Sequence, residues 1–195
     1  VMSNSFRHPS LMAKMAATVQ MLSSGRLILG YGAGYYEKEY KAYGFDYPRT
    51  RVRIEMLEEA LQVMKMLWTK SPAIFKGEYY FLDGAFSEPR PQPLPIIMIG
   101  GTGEKYSMRV IARHADWWND LLRPTDQLAH KLEVLKMHCD DEGRDFNSIR
   151  KTLSIRLILD RSHKKALGLA GDSLNTGYPP IVGDPSSVIE QLQKK

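Results

Sequence analysis

The sequence has only one cysteine, Cys139, among its 195 residues. A single thiol cannot form an internal disulfide, so a disulfide-held scaffold is excluded and a reducing compartment is favoured. Uninterrupted apolar runs are short, and none approaches the roughly 18 residues that cross a bilayer. No signal-peptide pattern opens the chain. These absences predict a cytoplasmic protein without a membrane-spanning segment.

Long runs of one charge are missing as well. The net charge is +5, but the basic residues are scattered, for example at Arg49, Arg51 and Arg53 and at Lys194 and Lys195. Nucleic acid is not an expected partner, because its recognition needs basic residues gathered into a patch. Hydrophobic residues make up 43% of the chain, which is enough for one sizeable core.

Metal and nucleophile sites are not expected either. The run HCDD, residues 138–141, looks like a ligand set, but a helix would disperse its members, and no second cluster completes a site. No Ser-His-Asp or Cys-His arrangement is visible. The sequence therefore predicts neither a metal centre nor a nucleophilic active site.

Short apolar runs alternate with segments of helical spacing. A helix that Pro9 starts and Gly25 stops precedes the run 27–29, and the run 96–99 precedes a helix over about 104–114. The first helix has four apolar residues on one face: Leu11, Met15, Val19 and Leu22. A helix that Thr50 is expected to cap has a longer apolar stripe: Leu57, Ala60, Leu61, Met64, Leu67 and Trp68.

Alternating strands and helices imply an α/β fold with a parallel sheet. Two architectures compete, an open doubly wound sheet and a closed (β/α) barrel, and both place binding sites at the carboxyl ends of the strands. Residues 73–95 differ from the rest, because aromatic residues near Gly77 and Gly84 predict a small hairpin before a proline-rich connector. We interpret this segment as an insertion that could cap the mouth of a barrel.

Glycines follow two of the expected strands at their carboxyl ends. In GGTG, residues 100–103, several backbone N–H groups lie before a helix, where an anion such as phosphate binds. The alternative is a tight turn that needs positive φ and binds nothing. The glycines at 30, 32 and 34 alternate along the other strand end, so either a flat ring approaches the backbone or a helix packs closely there. His8 could contact a ligand, although a role in starting the first helix is equally simple.

Three segments in this order resemble the luciferase-like monooxygenase superfamily, and especially its branch that depends on the deazaflavin coenzyme F(420). They are FRHPSLMAKMAATVQMLSSGRLILGYGAGYYEKEYKAYGF, RIEMLEEALQVMKMLWT and PIIMIGGTGEKYSMRVIARHADWWN. The resemblance covers about residues 3–158. It implies a (β/α)8 TIM barrel, here incomplete, from about the end of the third strand to the helix before the eighth. Residues 1–195 would then be one partial barrel domain and an internal piece of a longer protein.

The resemblance also implies hydride chemistry or monooxygenation of a small organic substrate, with coenzyme F(420) or FMN at the top of the barrel. The residues that it places at the cofactor are Ser3, Asn4, Gly32, Ala33, Gly34, Gly100, Gly101, Thr102, Gly103 and Glu104. Best placed to line a substrate pocket are His8, Tyr35 and Tyr36. Barrels of this superfamily often form homodimers.

One departure from the family pattern bears on the chemistry. The sugar-phosphate dehydrogenases of the superfamily carry a proton-transferring glutamate just after the fourth-strand glycines, and here that position is Tyr35. The catalytic acid or base is therefore unassigned. Two alternatives to an oxidoreductase stay open, a non-catalytic flavin-binding barrel and an α/β module that binds phosphate esters.

Overall fold

The computed structural model describes residues 1–175 and 178–193, with Asn175 described by its backbone alone. The basic pair at 194–195 and two residues of the loop before 178 lie outside the described part. The helices are α1 (Pro9–Leu22), α2 (Glu37–Ala42), α3 (Thr50–Thr69), α4 (Ser107–His114), α5 (Thr125–Asp141), α6 (His163–Ala170) and α7 (Pro185–Gln193). The strands are β1 (Met2–Ser3), β2 (Ile28–Gly32), β3 (Ala73–Lys76), β4 (Phe81–Ala85), β5 (Ile96–Gly100), β6 (Trp117–Leu121), β7 (Arg150–Ser154), β8 (Leu157–Leu159) and β9 (Ile181–Gly183). No described helix combines the length and the apolar character that crossing a membrane requires.

Five parallel strands form one sheet in the order β1-β2-β5-β6-β7. An open doubly wound sheet reverses its strand order at a switch point, whereas a barrel adds each strand beside the previous one. The order here has no reversal, so the sheet is the wall of an incomplete (β/α) barrel. The run TLSIRLILD, residues 152–160, reads as one strand in sequence, but it breaks into β7 and β8, and β8 pairs with β9 in a separate two-stranded sheet.

The main core lies between the sheet and the helices on its outer side. Leu29 and Tyr31 of β2 and Ile97 and Ile99 of β5 are buried and pack in this core, together with residues of α1, α3 and α4. The predicted stripe of α3 is confirmed, since all six of its residues are buried. Arg49, not Thr50, is the residue before the first turn of α3, and it makes no side-chain capping bond.

The apolar face of α1, which the pattern predicts to pack into the core, is instead exposed. Leu11 is 53% exposed and Leu22 is 82% exposed. The helix packs through small residues, among them Ala13 and Ala16, and the Trp68 indole N–H donates to the Ala13 carbonyl oxygen at 2.9 Å. Alanines bring the backbones of α1 and α3 close together, which larger residues on that face would prevent.

The predicted hairpin forms as β3 and β4 and packs on α3. The Glu59 carboxylate accepts hydrogen bonds from the backbone N–H groups of Glu78, Tyr79 and Tyr80 at 2.7–3.0 Å. The Tyr80 ring meets the His8 ring edge-on, with centroids 5.4 Å apart. These contacts hold the hairpin turn against α3 and the start of α1, and Tyr80 also lies beside Asn4 next to β1.

Candidate functional site

The carboxyl ends of the five strands bring one residue from each strand into a single row. Ser3 is in register with Gly32, Gly100 with Asn119, and Asn119 with Thr152. A Cβ at Gly32 would lie 3.2 Å from the Gly100 carbonyl oxygen. Gly32 and Gly100 are therefore neighbours, and the five residues form one continuous row. The sheet therefore presents, at this edge, two central strands with bare backbone flanked by polar side chains.

The glycines in this row are required by space rather than by backbone conformation. Gly30, Gly32 and Gly100 do not have positive φ. A Cβ at Gly32 or at Gly100 would lie 3.2 Å from side-chain atoms of Val1, which lies against this face. The Val1 side chain therefore covers Gly30, Gly32 and Gly100, and larger residues at these positions would collide with it.

The GGTG loop connects β5 to α4 and leaves its amides unused. Among the described residues, the backbone N–H groups of Gly101, Thr102 and Gly103 donate to no protein acceptor. Neither glycine has positive φ, so the tight-turn alternative lacks its main requirement. The helix begins at Ser107, three residues later than expected, after a turn at 104–106. Free amides that precede a helix are the arrangement expected of an anion site.

Ser107 is a part of this loop site that the sequence reasoning missed. Its hydroxyl oxygen would lie 3.0 Å from a Cβ at Gly103, and its Cβ would lie 3.3 Å from a Cβ at Gly101. Glycine at both positions leaves the Ser107 side chain room beside the amides. A serine in the first turn of a helix after a glycine loop is the signal that could have identified it.

Lys131 of α5 holds the loop from its outer side. Its ammonium group donates to the Thr102 carbonyl oxygen at 3.1 Å and to the Glu104 carboxylate at 2.5 Å. The bond from Lys131 lowers the pKa of Glu104, with His130 as a further partner at 3.2 Å. Glu104, an expected cofactor residue, is thus paired with α5. Lys131 is far from the loop in sequence, so no local pattern could have predicted this contact.

Tyr40 joins the expected third-strand and fourth-strand segments. Its hydroxyl group contacts the Ser3 hydroxyl and lies within hydrogen-bond distance of the Ser5 Oγ at 3.2 Å and of the Ala33 carbonyl oxygen at 3.4 Å, so its single proton is shared among these acceptors. Gly34 has a φ of 75°, and a Cβ there would overlap the Tyr40 hydroxyl. Close packing, rather than the approach of a ring, therefore accounts for glycine at position 34.

Asn4 is buried just beyond Ser3. It is 1% exposed with the Tyr80 side chain as a polar neighbour, and among the described residues neither of its amide atoms makes a hydrogen bond of standard geometry. The buried hydroxyl of Tyr31 is also without a partner there. Burial without a partner costs free energy, so these atoms are available to a polar ligand atom or an ordered water.

The three expected pocket residues lie on the surface around the strand ends. His8 caps α1, because its Nδ1 accepts from the Ser10 N–H at 3.3 Å. Tyr35 is 87% exposed and Tyr36 is 52% exposed, and their rings are 6.3 Å apart. Their position after β2 borders the row, but the described residues do not enclose them in a pocket.

A polar network extends the row onto β7. The Asn119 amide nitrogen donates to the Thr152 hydroxyl at 3.0 Å, and the Ser154 hydroxyl donates to the Asn119 amide oxygen at 3.0 Å. Thr152 in turn donates to the Trp118 carbonyl oxygen at 2.9 Å. Three polar side chains at two adjacent strand ends are thereby fixed in orientation on the side of the row opposite to Ser3.

These features define a (β/α) barrel protein with an anion-type loop and a bare backbone row at its carboxyl edge. A family model for luciferase-like monooxygenases matches residues 1–193, and the chain belongs to that family. An F420-dependent glucose-6-phosphate dehydrogenase of Amycolatopsis mediterranei is 31% identical over 178 residues, which are 86% of this chain and 51% of that protein. A pyrimidine monooxygenase of Allorhizobium ampelinum is 28% identical over 165 residues, 81% of this chain and 44% of that protein. The chain thus spans about half the length of these curated relatives.

Solved structures of the same fold match nearly the whole chain. The coenzyme F420-dependent tetrahydromethanopterin reductase of Methanopyrus kandleri superposes with a TM-score of 0.80 at 15% identity, covering 100% of this chain and 72% of that protein. An F420-dependent secondary alcohol dehydrogenase in complex with an F420–acetone adduct gives 0.79 at 24% identity, with 99% and 60% covered. These likenesses support the incomplete barrel that the strand order shows.

Proposed function

We propose that this protein is an oxidoreductase that uses coenzyme F420 or FMN for hydride transfer or monooxygenation of a small organic substrate. The observation that carries the proposal is the bare row Ser3–Gly32–Gly100–Asn119–Thr152 beside the free amides of the GGTG loop. Relatives named as F420-dependent dehydrogenases and as monooxygenases support a catalytic protein over a non-catalytic flavin-binding barrel. Membership of the family argues against an unrelated phosphate-ester module.

The residues present fit a cofactor that has a phosphate and a flat ring. The amides of Gly101, Thr102 and Gly103, with the Ser107 hydroxyl, would hold the phosphate, because a helix start favours negative charge. The backbone at Gly32 and Gly100 would take one face of the ring, for which the Val1 side chain that now covers both glycines would have to move aside. A cofactor bound there would supply hydride transfer, and FMN would also supply oxygen activation.

The protein's own residues would position the cofactor and the substrate. Ser3, held by Tyr40, and Asn119, held by Thr152, would border the ring at opposite ends of the row. Asn4 would offer its unpaired amide, and Ala33 and Gly34 would continue the rim. His8, Tyr35 and Tyr36 are our candidates for the substrate side. We assign no proton donor, since Tyr35 stands where the family's sugar-phosphate dehydrogenases carry glutamate.

We also propose the setting in which the protein works. Residues 1–195 would form one partial barrel domain with residues 73–95 as an insertion. A cytoplasmic location fits the buried free thiol of Cys139, and the scattered charge favours a small molecule over nucleic acid as partner. The exposed apolar face of α1 is a surface that a homodimer could use.

A titration of the full-length protein with FMN and, separately, with coenzyme F420 tests the proposal through the fluorescence of the ring. Tight binding of F420 alone would support hydride transfer without oxygen. Tight binding of FMN alone would support monooxygenation and direct the next assay to oxygen consumption. Gly101→Val should weaken the binding at least tenfold, because its side chain would crowd Ser107 and the amides.

A matched control is Gly168→Val, at a helical position where a Cβ would meet nothing within 4 Å. It should leave cofactor affinity unchanged. If neither cofactor binds, the assignment of the row and the loop is wrong. If Gly101→Val binds as well as the unmodified protein, only the phosphate position is wrong.

A further inference from the structure

A cavity of about 330 Å³ opens at the carboxyl ends of β6 and β7, beyond the polar end of the row. Its lining combines apolar side chains with one hydroxyl and one guanidinium: Leu121, Leu122, Ser154, Arg156, Tyr178 and Pro179. This volume is at the lower end of the range for small-molecule sites. The cavity therefore suits a ligand with a compact apolar body.

Arg156 gives this cavity its charge. In the part of the chain that the structure describes, its guanidinium forms no ion pair or side-chain hydrogen bond, and the residue is exposed. The neighbouring Arg123 differs, because its guanidinium donates to both oxygens of the buried Asp120 carboxylate at 2.7 and 3.0 Å. The Tyr178 ring covers Arg123 at 5.0 Å. Arg123 is thus neutralised, and Arg156 is the cavity-lining cation left available.

The cavity adjoins the row at Ser154. Ser154 lines the cavity, and its hydroxyl donates to Asn119, a member of the row. Asn119 and Ser154 lie on neighbouring strands, in positions two residues apart in register. A ligand in the cavity would therefore border the Asn119 end of the row, and its other end would reach Arg156.

We infer that this cavity binds the substrate and that Arg156 selects for an organic anion, a carboxylate or a phosphate ester on a compact apolar body. The inference rests on the proposed function, because it names the substrate class of the same site. A guanidinium matches the two oxygens of such a group with two parallel N–H bonds. Leu121, Leu122 and Pro179 contact the apolar part, and Ser154 lies between the substrate and the row.

Three probes of similar shape test this inference on the full-length protein: benzoate, phenyl phosphate and the neutral benzamide. Dissociation constants are measured by calorimetry or ligand-observed NMR, with and without bound cofactor. We expect at least one anion to bind tenfold or more tightly than benzamide, and the tighter anion identifies the substrate's group. Arg156→Met should abolish this preference, and Arg161→Met, at an exposed arginine outside the cavity lining, should keep it.

Equal binding of the three probes, no binding of any, or an unchanged preference in Arg156→Met would each overturn the inference. A thermal unfolding curve for both variants establishes that the comparison is between folded proteins. Cofactor titration of the same variants separates the two proposals. If the protein binds the cofactor but shows no preference for anions, only the inferred substrate class is wrong. If it prefers anions but does not bind the cofactor, the proposed function is wrong.

Discussion

The hydroxyl group of Tyr40 occupies the space where a side chain at Gly34 would begin. The same hydroxyl contacts Ser3 and Ala33, so one residue of the short helix α2 fixes the ends of two strands. Tyr40 is itself only 1% exposed, between the rings of Phe6 and Tyr47. The rim of the candidate site is therefore held by packing that no ligand needs to complete.

Gly34→Ala should destabilise the protein more than Gly44→Ala. Both glycines have nearly the same positive φ, 75° and 73°, so both alanines carry about 1–2 kcal/mol of backbone strain. Only at Gly34 would the new Cβ also overlap Tyr40, since nothing lies within 4 Å at Gly44. Thermal unfolding of the two variants measures the difference. Equal losses would mean that Tyr40 moves aside at no cost.

Ser107→Ala should weaken cofactor binding by roughly three- to tenfold without unfolding the protein, since one hydrogen bond to a charged group contributes about 1 kcal/mol or more. The half-buried side chain becomes smaller, so no new clash arises. Ser10→Ala, in the first turn of α1, provides the control, and ring fluorescence reports both affinities. A Ser107→Ala protein with unaltered affinity would place the phosphate away from this hydroxyl.

Glu58→Gln should lower stability at neutral pH but not in acid. His114 at 3.5 Å and Arg113 at 2.9 Å lower the pKa of Glu58 to about 2. A carboxyl group whose pKa is lowered on folding stabilises the protein above its unfolded pKa of about 4.5, and this stabilisation disappears as the pH falls towards 2. We expect a loss of about 1 kcal/mol at pH 7, which is roughly 2–4 °C in Tm.

Melting curves between pH 3 and pH 7 measure this loss. The gap between Glu58→Gln and the unmodified protein should narrow steadily below about pH 4.5. Glu133→Gln is the control, because Glu133 is an exposed residue of α5 with no ion pair among the described residues. A gap that stays constant down to pH 3 would show that the carboxylate charge is not the source of the effect.

Leu11→Lys combined with Val19→Lys should reduce self-association of the 195-residue chain at little cost in stability. Both residues belong to the exposed face of α1, at 53% and 47% exposed, and surface substitutions change stability by about 0.5 kcal/mol or less. Among the described residues the outer edges of β1 and β7 are also unpaired, so we expect some association to persist. Sedimentation velocity measures the oligomeric state.

Ala16→Lys gives the contrasting case on the same helix. Ala16 is 1% exposed, so a lysine there would bury a charge against α3 and should unfold the protein. If Leu11→Lys with Val19→Lys destabilised the chain as severely, the exposed face of α1 would be part of the core after all. If association were unchanged, another surface would be responsible for it.

The alternation of strands and helices follows from the sequence, although α2 and β9 were not predicted. The stripe of α3 repeats with the period of a helix, and the short uninterrupted apolar runs of β2 and β5 are typical of buried strands. The types and approximate bounds of these elements could therefore be predicted. The glycines after β2 and β5 marked the carboxyl edge for the same local reason. Three sequence segments in order carried the family resemblance, which the match over residues 1–193 confirms.

Tertiary packing decided which faces meet and which side chains reach the site. The apolar face of α1 was indistinguishable from a core face by period, and only the fit of Ala13 and Ala16 against α3 showed that it is exposed. Tyr40, Ser107 and Lys131 come to the strand ends from three different helices. Their proximity is set by how those helices pack on the sheet. The sequence pattern gives the period of a helix, but it does not specify which other element each face of the helix packs against.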